Sequence, residues 1–169
     1  MSSALVLFAL LSPQIANAGE LREPVLALLD GVEDAPDAAQ LRAMGEGVGP
    51  ELLELAQDPN LAPTRRARAT QALGWFPTEQ HREWLSSTLQ GEDPMLARKA
   101  SYALVNGWGD QAVPLVTPAL ASSDVQLRLA TVRALGSLGS EPARQALSAR
   151  LDLEQHAAVK DLIRQSLAR

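Results

Sequence analysis

The sequence contains no cysteine. This absence excludes disulfide bridges, cysteine-ligated zinc, iron–sulfur clusters and a cysteine nucleophile. The only two histidines, His81 and His156, have no partner at metal-ligand spacing, and we interpret both as exposed helix residues. The common phosphate-binding, metalloprotease and serine hydrolase motifs are also missing. We therefore expect no metal, no cofactor and no enzymatic activity.

Aromatic residues are scarce, at 4% of the chain, whereas alanine and leucine are abundant. Both of these residues favour helices, and the chain has no β-branched runs of strand length. The apolar content of 46% and the charged content of 21% are near the average for globular proteins. The composition therefore predicts an all-α protein with closely packed helices.

The first eighteen residues carry no charged side chain. An apolar run at residues 4–11 is followed by Ser12-Pro13, and Ala16 and Ala18 form the A-x-A pattern of a signal-peptide cleavage site. The run is too short to span a bilayer, but it lacks the usual preceding basic residue. We predict a signal peptide at residues 1–18 and an exported, periplasmic or secreted protein without a transmembrane anchor. The alternative is a retained hydrophobic helix and a cytoplasmic protein.

An internal repeat of 31 residues organises the rest of the chain. Three segments, 66–74, 97–105 and 128–136, align with one another, and we infer earlier and later copies ending at residues 43–45 and within 156–168. Each anchor leucine is followed, 12 and 16 positions later, by an apolar pair on one face of a second helix. The anchors are Leu73, Leu104 and Leu135, and the pairs are Leu85 with Leu89, Val116 with Leu120, and Leu147 with Leu151.

Helix-breaking residues follow the same spacing. Asp58, Asp93 and Asp124 precede the expected first helices and are predicted N-caps, two of them followed directly by proline. Glycines follow the anchor leucines, and we predict them to be helix C-caps with positive φ. These corner glycines are Gly45, Gly47, Gly49, Gly74, Gly107, Gly109, Gly136 and Gly139. The pattern predicts one helix pair per repeat.

The clearest copy reads Asp124-Val-Gln-Leu-Arg-Leu-Ala-Thr-Val-Arg-Ala-Leu-Gly. It resembles bacterial HEAT repeats, especially the short type also found in phycobilisome lyase subunits, and the resemblance covers about residues 36–168. It implies a right-handed α-solenoid of about four helix pairs at 36–169, preceded by an acidic capping helix at 19–35. It also implies a structural ladder of Asp and Arg side chains that links successive repeats. Val105, where the pattern has glycine, departs from the family.

Charge is distributed unevenly along the chain. Residues 19–60 have a net charge of −8, whereas residues 61–169 have a net charge of +3. The basic residues of the expected first helices include Arg68, Arg98 and Lys99, and some HEAT-like proteins bind nucleic acid through such groups. The interleaved acidic residues and a pI near 5.0 argue against this, and nucleic acid is not expected as a partner.

Trp75, Trp84 and Trp108 lie in or near the expected corners between helices. Because tryptophan is enriched at binding hot spots, we predict that they form a partner-binding edge. The alternative is that they fill space between repeats. The resulting hypothesis is a non-catalytic scaffold that binds a protein or peptide outside the cytoplasm. The alternative function is an accessory module of an enzyme complex or a lyase-type cofactor handler.

Overall fold

The computed structural model describes residues 18–31 and 37–169. All regular secondary structure in these ranges is helical, which confirms the all-α prediction. The predicted signal peptide, apart from Ala18, and residues 32–35 of the predicted capping helix lie outside the described residues. The α-helices are α1 (Ala18–Leu29), α2 (Ala38–Ala43), α3 (Val48–Gln57), α4 (Pro63–Ala72), α5 (Glu79–Leu89), α6 (Pro94–Trp108), α7 (Val113–Val116), α8 (Val125–Leu138), α9 (Glu141–Leu153) and α10 (Ala157–Leu167).

The helices form the two rows of a right-handed α-solenoid. Helices α4, α6, α8 and α10 pack side by side, and we call them the first-helix row. Helices α3, α5, α7 and α9, the second-helix row, cover one side of it and contact one another little. The anchors Leu73, Leu104 and Leu135 are fully buried, as are Leu85 and Val116. The core therefore lies between the rows, as the repeat spacing predicts.

Two of the predicted N-caps are confirmed, and one is wrong. The Asp93 carboxylate accepts from the backbone N–H groups of Met95 and Leu96, each at 3.0 Å, and Asp124 accepts from that of Gln126 at 2.8 Å. Asp58 instead ends α3, because α4 begins later, at Pro63. Proline suits this first helical position, where no N–H is needed.

Close helix packing, not a positive φ, explains Gly74 and Gly136. A Cβ on Gly74 would lie 2.5 Å from the Ala103 carbonyl oxygen, and one on Gly136 would lie 2.6 Å from Ser166 Oγ. The C-cap prediction is therefore wrong for these two glycines and for Gly107, whose added Cβ would lie 2.9 Å from the Gly74 carbonyl oxygen, since they allow neighbouring first helices to touch. It is confirmed for Gly109 and Gly139, the C-caps of α6 and α8, with φ at +54° and +62°.

The first repeat departs most from the pattern. The expected copy ending at residues 43–45 is only the six-residue helix α2. The guanidinium of Arg68 in α4 donates to the Leu29 carbonyl at the end of α1, and Arg42 in α2 donates to the Trp75 carbonyl at 3.1 Å. Helices α1 and α2 thus lie one after the other along α4 and the turn that follows it. Together they take the place of a first helix.

A ladder of ion pairs links successive repeats. Each pair joins an arginine of a first helix to a carboxylate just before the next one, and this confirms the ladder for Asp58 and Asp124. Asp93 only caps α6, because the matching position in α4 is Ala67. The pairs are Arg22–Asp58 at 2.5 Å, Arg98–Asp124 at 3.3 Å and Arg128–Glu154 at 3.0 Å.

Candidate functional site

A groove of about 430 Å³ crosses the exposed side of the first-helix row. Tyr102 and Asn106 belong to a face of α6 that points away from the buried anchor Leu104, because residues three or four apart share a helix face. Helix α4 and its following turn form one wall, and α8 forms the other. The groove is lined by Gln71, Trp75, Tyr102, Val105, Asn106, Gly109, Ala134, Ser137 and Leu138.

The departure from the repeat pattern at Val105 lies in the groove, between α6 and α8. Gly74 and Gly136 occupy the matching positions one repeat before and after, and each touches the following first helix. Val105 has a branched side chain there, and it lines the groove between α6 and α8. Val105 and Ala134 are 3% and 1% exposed and form the floor of the groove.

The rim of the groove is polar and partly aromatic. Trp75 and Tyr102 supply aromatic surface, and Gln71, Asn106 and Ser137 supply amide and hydroxyl groups. The Ser137 hydroxyl donates to the Ala134 carbonyl at 2.7 Å, which leaves its oxygen able to accept. An apolar floor with a few polar groups at its edge is typical of a binding site rather than of plain surface.

Positive charge lies along one edge. The Lys99 ammonium donates to the Gln71 side-chain oxygen at 2.8 Å. Burial lowers the pKa of Lys99, and the neighbouring charges of Arg68 and Arg98 lower it further. Within residues 18–31 and 37–169, no carboxylate lies at salt-bridge distance from this ammonium, whereas Arg98 pairs with Asp124. This edge therefore favours an anionic group.

The structure separates the three predicted tryptophans. Trp75 lines the groove, Trp84 lies on α5 in the second-helix row, and Trp108 ends α6 without lining the groove. All three are partly buried against the core. Their joint role in partner binding stays a prediction. The sequence reasoning missed Tyr102 and Asn106, although with Lys99 they recur at helical spacing opposite the anchor Leu104.

The interpretation of His81 as an exposed residue is wrong. His81 is 2% exposed, and its Nδ1–H donates to the Phe76 carbonyl at 2.6 Å. Because a carbonyl can only accept, this bond fixes the proton on Nδ1. His81 also borders a cavity of about 340 Å³ beside Gly49 and Phe76. His156 is exposed, as expected, and precedes α10.

Glu154 is a buried carboxylate with many partners. It is 1% exposed and accepts from the Nε and Nη2 groups of Arg128, at 3.0 and 3.2 Å. It also accepts from Arg150 at 2.8 Å and from the backbone N–H of His156 at 2.8 Å. Burial opposes its ionisation, but the bonds from His156, Arg150 and Arg128 outweigh burial and hold the pKa of Glu154 at about 2.

Glu51 on α3 is equally buried but poorly paired. Its Oε1 has no hydrogen-bond partner, and the nearest guanidinium nitrogen, on Arg22, lies 3.6 Å away. Arg22 instead donates to Asp58 at 2.5 Å. Burial raises the pKa of Glu51, and the charge of Glu54 adds to the effect. Arg22 lowers the pKa in part, so the first junction of the solenoid contains a buried carboxylate that is only partly compensated.

The described part of the chain contains no group of three or more side chains suited to a metal ion. None of its helices is both long and apolar enough to cross a bilayer.

Comparison with known proteins defines the class. The family model described as HEAT repeats matches residues 83–168, just over half of the chain. The chain therefore belongs to the HEAT repeat family, as the resemblance predicted. Comparison with curated proteins finds no significant match.

A solved structure with the same fold comes from the complex of CpcE and CpcF of phycocyanin lyase from Nostoc sp. PCC7120. The TM-score is 0.65, and the alignment covers 86% of this chain and 97% of that chain. The sequences are 18% identical, so the similarity establishes the fold alone.

Proposed function

We propose that this protein is a non-catalytic HEAT-repeat scaffold that holds a protein or peptide partner in the groove across α4, α6 and α8. The groove carries the proposal: it combines an apolar floor at Val105 and Ala134 with aromatic and amide groups at its rim. Two rim residues, Asn106 and Ser137, are exposed and do not belong to the core. HEAT arrays bind partners on such extended surfaces.

Site-specific photo-cross-linking in the native host tests this proposal. A photoreactive residue replaces Asn106 on the groove rim or, as a control, Glu83 on the exposed side of α5. We expect a discrete protein adduct from position 106 and none from position 83. Equal adducts from both positions, or none from position 106, would contradict the assignment of the groove.

We propose further that the scaffold acts outside the cytoplasm. The support is the uncharged segment at residues 1–18 with its small residues Ala16 and Ala18. N-terminal sequencing of the protein from its host tests this part separately. We expect a mature chain that begins near Gly19, whereas a chain that still begins at Met1 or Ser2 contradicts export.

The second candidate function is an accessory module of an enzyme complex or a handler of a cofactor. The observation in its favour is the shared fold with a chain of a phycocyanin lyase complex. This alternative predicts a small molecule that copurifies with the protein from its host. Absorbance and mass spectra of that preparation distinguish the two functions, because the scaffold predicts an unmodified chain without a chromophore.

A further inference from the structure

We infer that the groove binds an extended, acidic peptide segment that places one large apolar side chain on the floor and a carboxylate beside Lys99. This inference rests on the proposed function and names the chemistry of the partner. It combines three properties of the groove, namely its length, its floor and the charge along one edge.

The length of the groove fits a short extended segment. It runs from α4 across α6 to α8, which is two steps between neighbouring packed helices. At 8–10 Å per step this is about 18 Å. An extended chain advances about 3.3 Å per residue, so about six residues span the groove. Gln71, Asn106 and Ser137, one on each first helix, can hydrogen-bond the main chain of such a segment.

The floor suits a single apolar anchor. Val105, Ala134 and Leu138 are apolar, and Trp75 and Tyr102 stand at the sides. Val105, which lines this space, stands where the neighbouring repeats have a glycine in close helix contact. A large side chain inserted between α6 and α8 would contact these groups on several sides, which is the arrangement found at interface hot spots.

The charged edge selects an acidic segment. Arg68 donates to the carbonyls of Leu29 and Gly31, and Arg98 pairs with Asp124. Lys99 uses one of its three N–H groups on Gln71. Its remaining donors lie next to a groove that no acidic side chain lines. A carboxylate from the partner would satisfy these donors and offset the repulsion among the three cations.

Selection from a library of random-sequence peptides on the full chain tests the inference. We expect enrichment of sequences in which aspartate or glutamate keeps a fixed spacing from one aromatic or aliphatic residue. Synthetic copies of the enriched peptides are then titrated against wild type and three variants, with the thermal transition of each variant measured to verify folding. Lys99→Gln should weaken binding about tenfold. Tyr102→Ala should also weaken it, and Arg82→Gln, which removes an exposed cation from α5, should not.

Each alternative result has a distinct meaning. In one such result, the enriched peptides lack acidic residues and bind Tyr102→Ala less tightly but Lys99→Gln equally well. This result would overturn the inference of an acidic partner, and the groove would remain the binding site. Peptides that bind all variants equally, or no enrichment at all, would overturn both proposals. If a mixed-sequence oligonucleotide displaced the peptide at physiological salt with similar affinity, the edge would be a phosphate site, and the inference would fail.

Discussion

Glu51 and Glu154 are both 1% exposed, and each lies at a junction between repeats beside an arginine of a first helix. At the last junction, Arg128, Arg150 and two backbone N–H groups surround Glu154. At the first junction, Arg22 donates to Asp58 instead, and Glu51 Oε1 has no hydrogen bond. A buried glutamate thus stabilises the last junction, at Glu154, and destabilises the first, at Glu51. The reason is that burying a carboxylate is favourable only where its charge is fully paired.

The difference also bears on the groove. Helix α8 supplies Ala134, Ser137 and Leu138 to the groove and is held at Arg128 by the last junction. The first junction holds α1 and α3, which do not line the groove. We therefore expect changes at Glu154 to affect both stability and binding, and changes at Glu51 to affect stability alone.

The largest expected effect comes from Glu154→Ala. It leaves the guanidinium groups of Arg128 and Arg150 without their buried partner and removes the bonds to the start of α10. We expect the free energy of unfolding to fall by about 3–5 kcal/mol, measured by urea denaturation. A loss below about 1 kcal/mol would show that the pair contributes no more than an exposed one.

The next effect is a loss of stability in acid. The pKa of Glu154 is about 2 in the folded protein and 4.5 when unperturbed, so its contribution is complete above pH 4.5. As the pH falls from 4.5 towards 2, about 3 kcal/mol should be lost. Urea denaturation across this pH range measures how the free energy of unfolding changes with pH, and Glu154→Gln is the control that lacks the change. The same pH dependence in both proteins would show that other groups cause the acid sensitivity.

Glu51→Gln should change stability in the opposite direction. The pKa of Glu51 is raised, so its folded form favours the proton, and stability falls as the pH rises above the unperturbed value of 4.5. The neutral amide removes this cost at pH 7 and keeps the shape. We expect a gain of about 1 kcal/mol in the free energy of unfolding at pH 7, with unchanged peptide affinity. A marked loss of stability would mean that the attraction between Arg22 and Glu51 outweighs the cost of burying the Glu51 carboxylate.

The smallest effect belongs to the middle of the ladder. Arg98 and Asp124 are about one-third exposed and 3.3 Å apart. Arg98→Gln should lower the free energy of unfolding by about 0.5 kcal/mol, because exposed ion pairs are weak and screened by solvent. Denaturation at low and high salt measures it. A loss comparable to that of Glu154→Ala would remove the distinction between exposed and buried junctions.

Regular features of this fold are predictable from the sequence, because they depend on local periodicity. The anchors Leu73, Leu104 and Leu135 and the caps Asp93 and Asp124 recur at fixed spacing and lie where the repeat places them. The packing of Gly74 on Ala103 was not predictable in this way, because it depends on a neighbouring helix. The burial of His81 likewise depends on the Phe76 carbonyl in the preceding turn.

The groove was only partly predictable. Trp75 and the exceptional Val105 stand out in the sequence, but nothing local shows that a groove lies between α6 and α8. Trp84 and Trp108 do not line the groove, although their residue type and their position near the corners predicted a binding edge. Tyr102 and Asn106 have no distinguishing sequence pattern, and their place on the rim depends on the neighbouring helices.

The most direct test of the account uses the three tryptophan indole N–H resonances of the folded chain. An enriched acidic peptide is titrated into isotopically labelled protein, and single tryptophan substitutions assign the resonances. The account predicts that the Trp75 resonance, in the groove, shifts with the titration and that the Trp84 resonance, on α5, does not move. A shift of Trp84 with Trp75 unchanged would place the partner on the second-helix row and contradict the account.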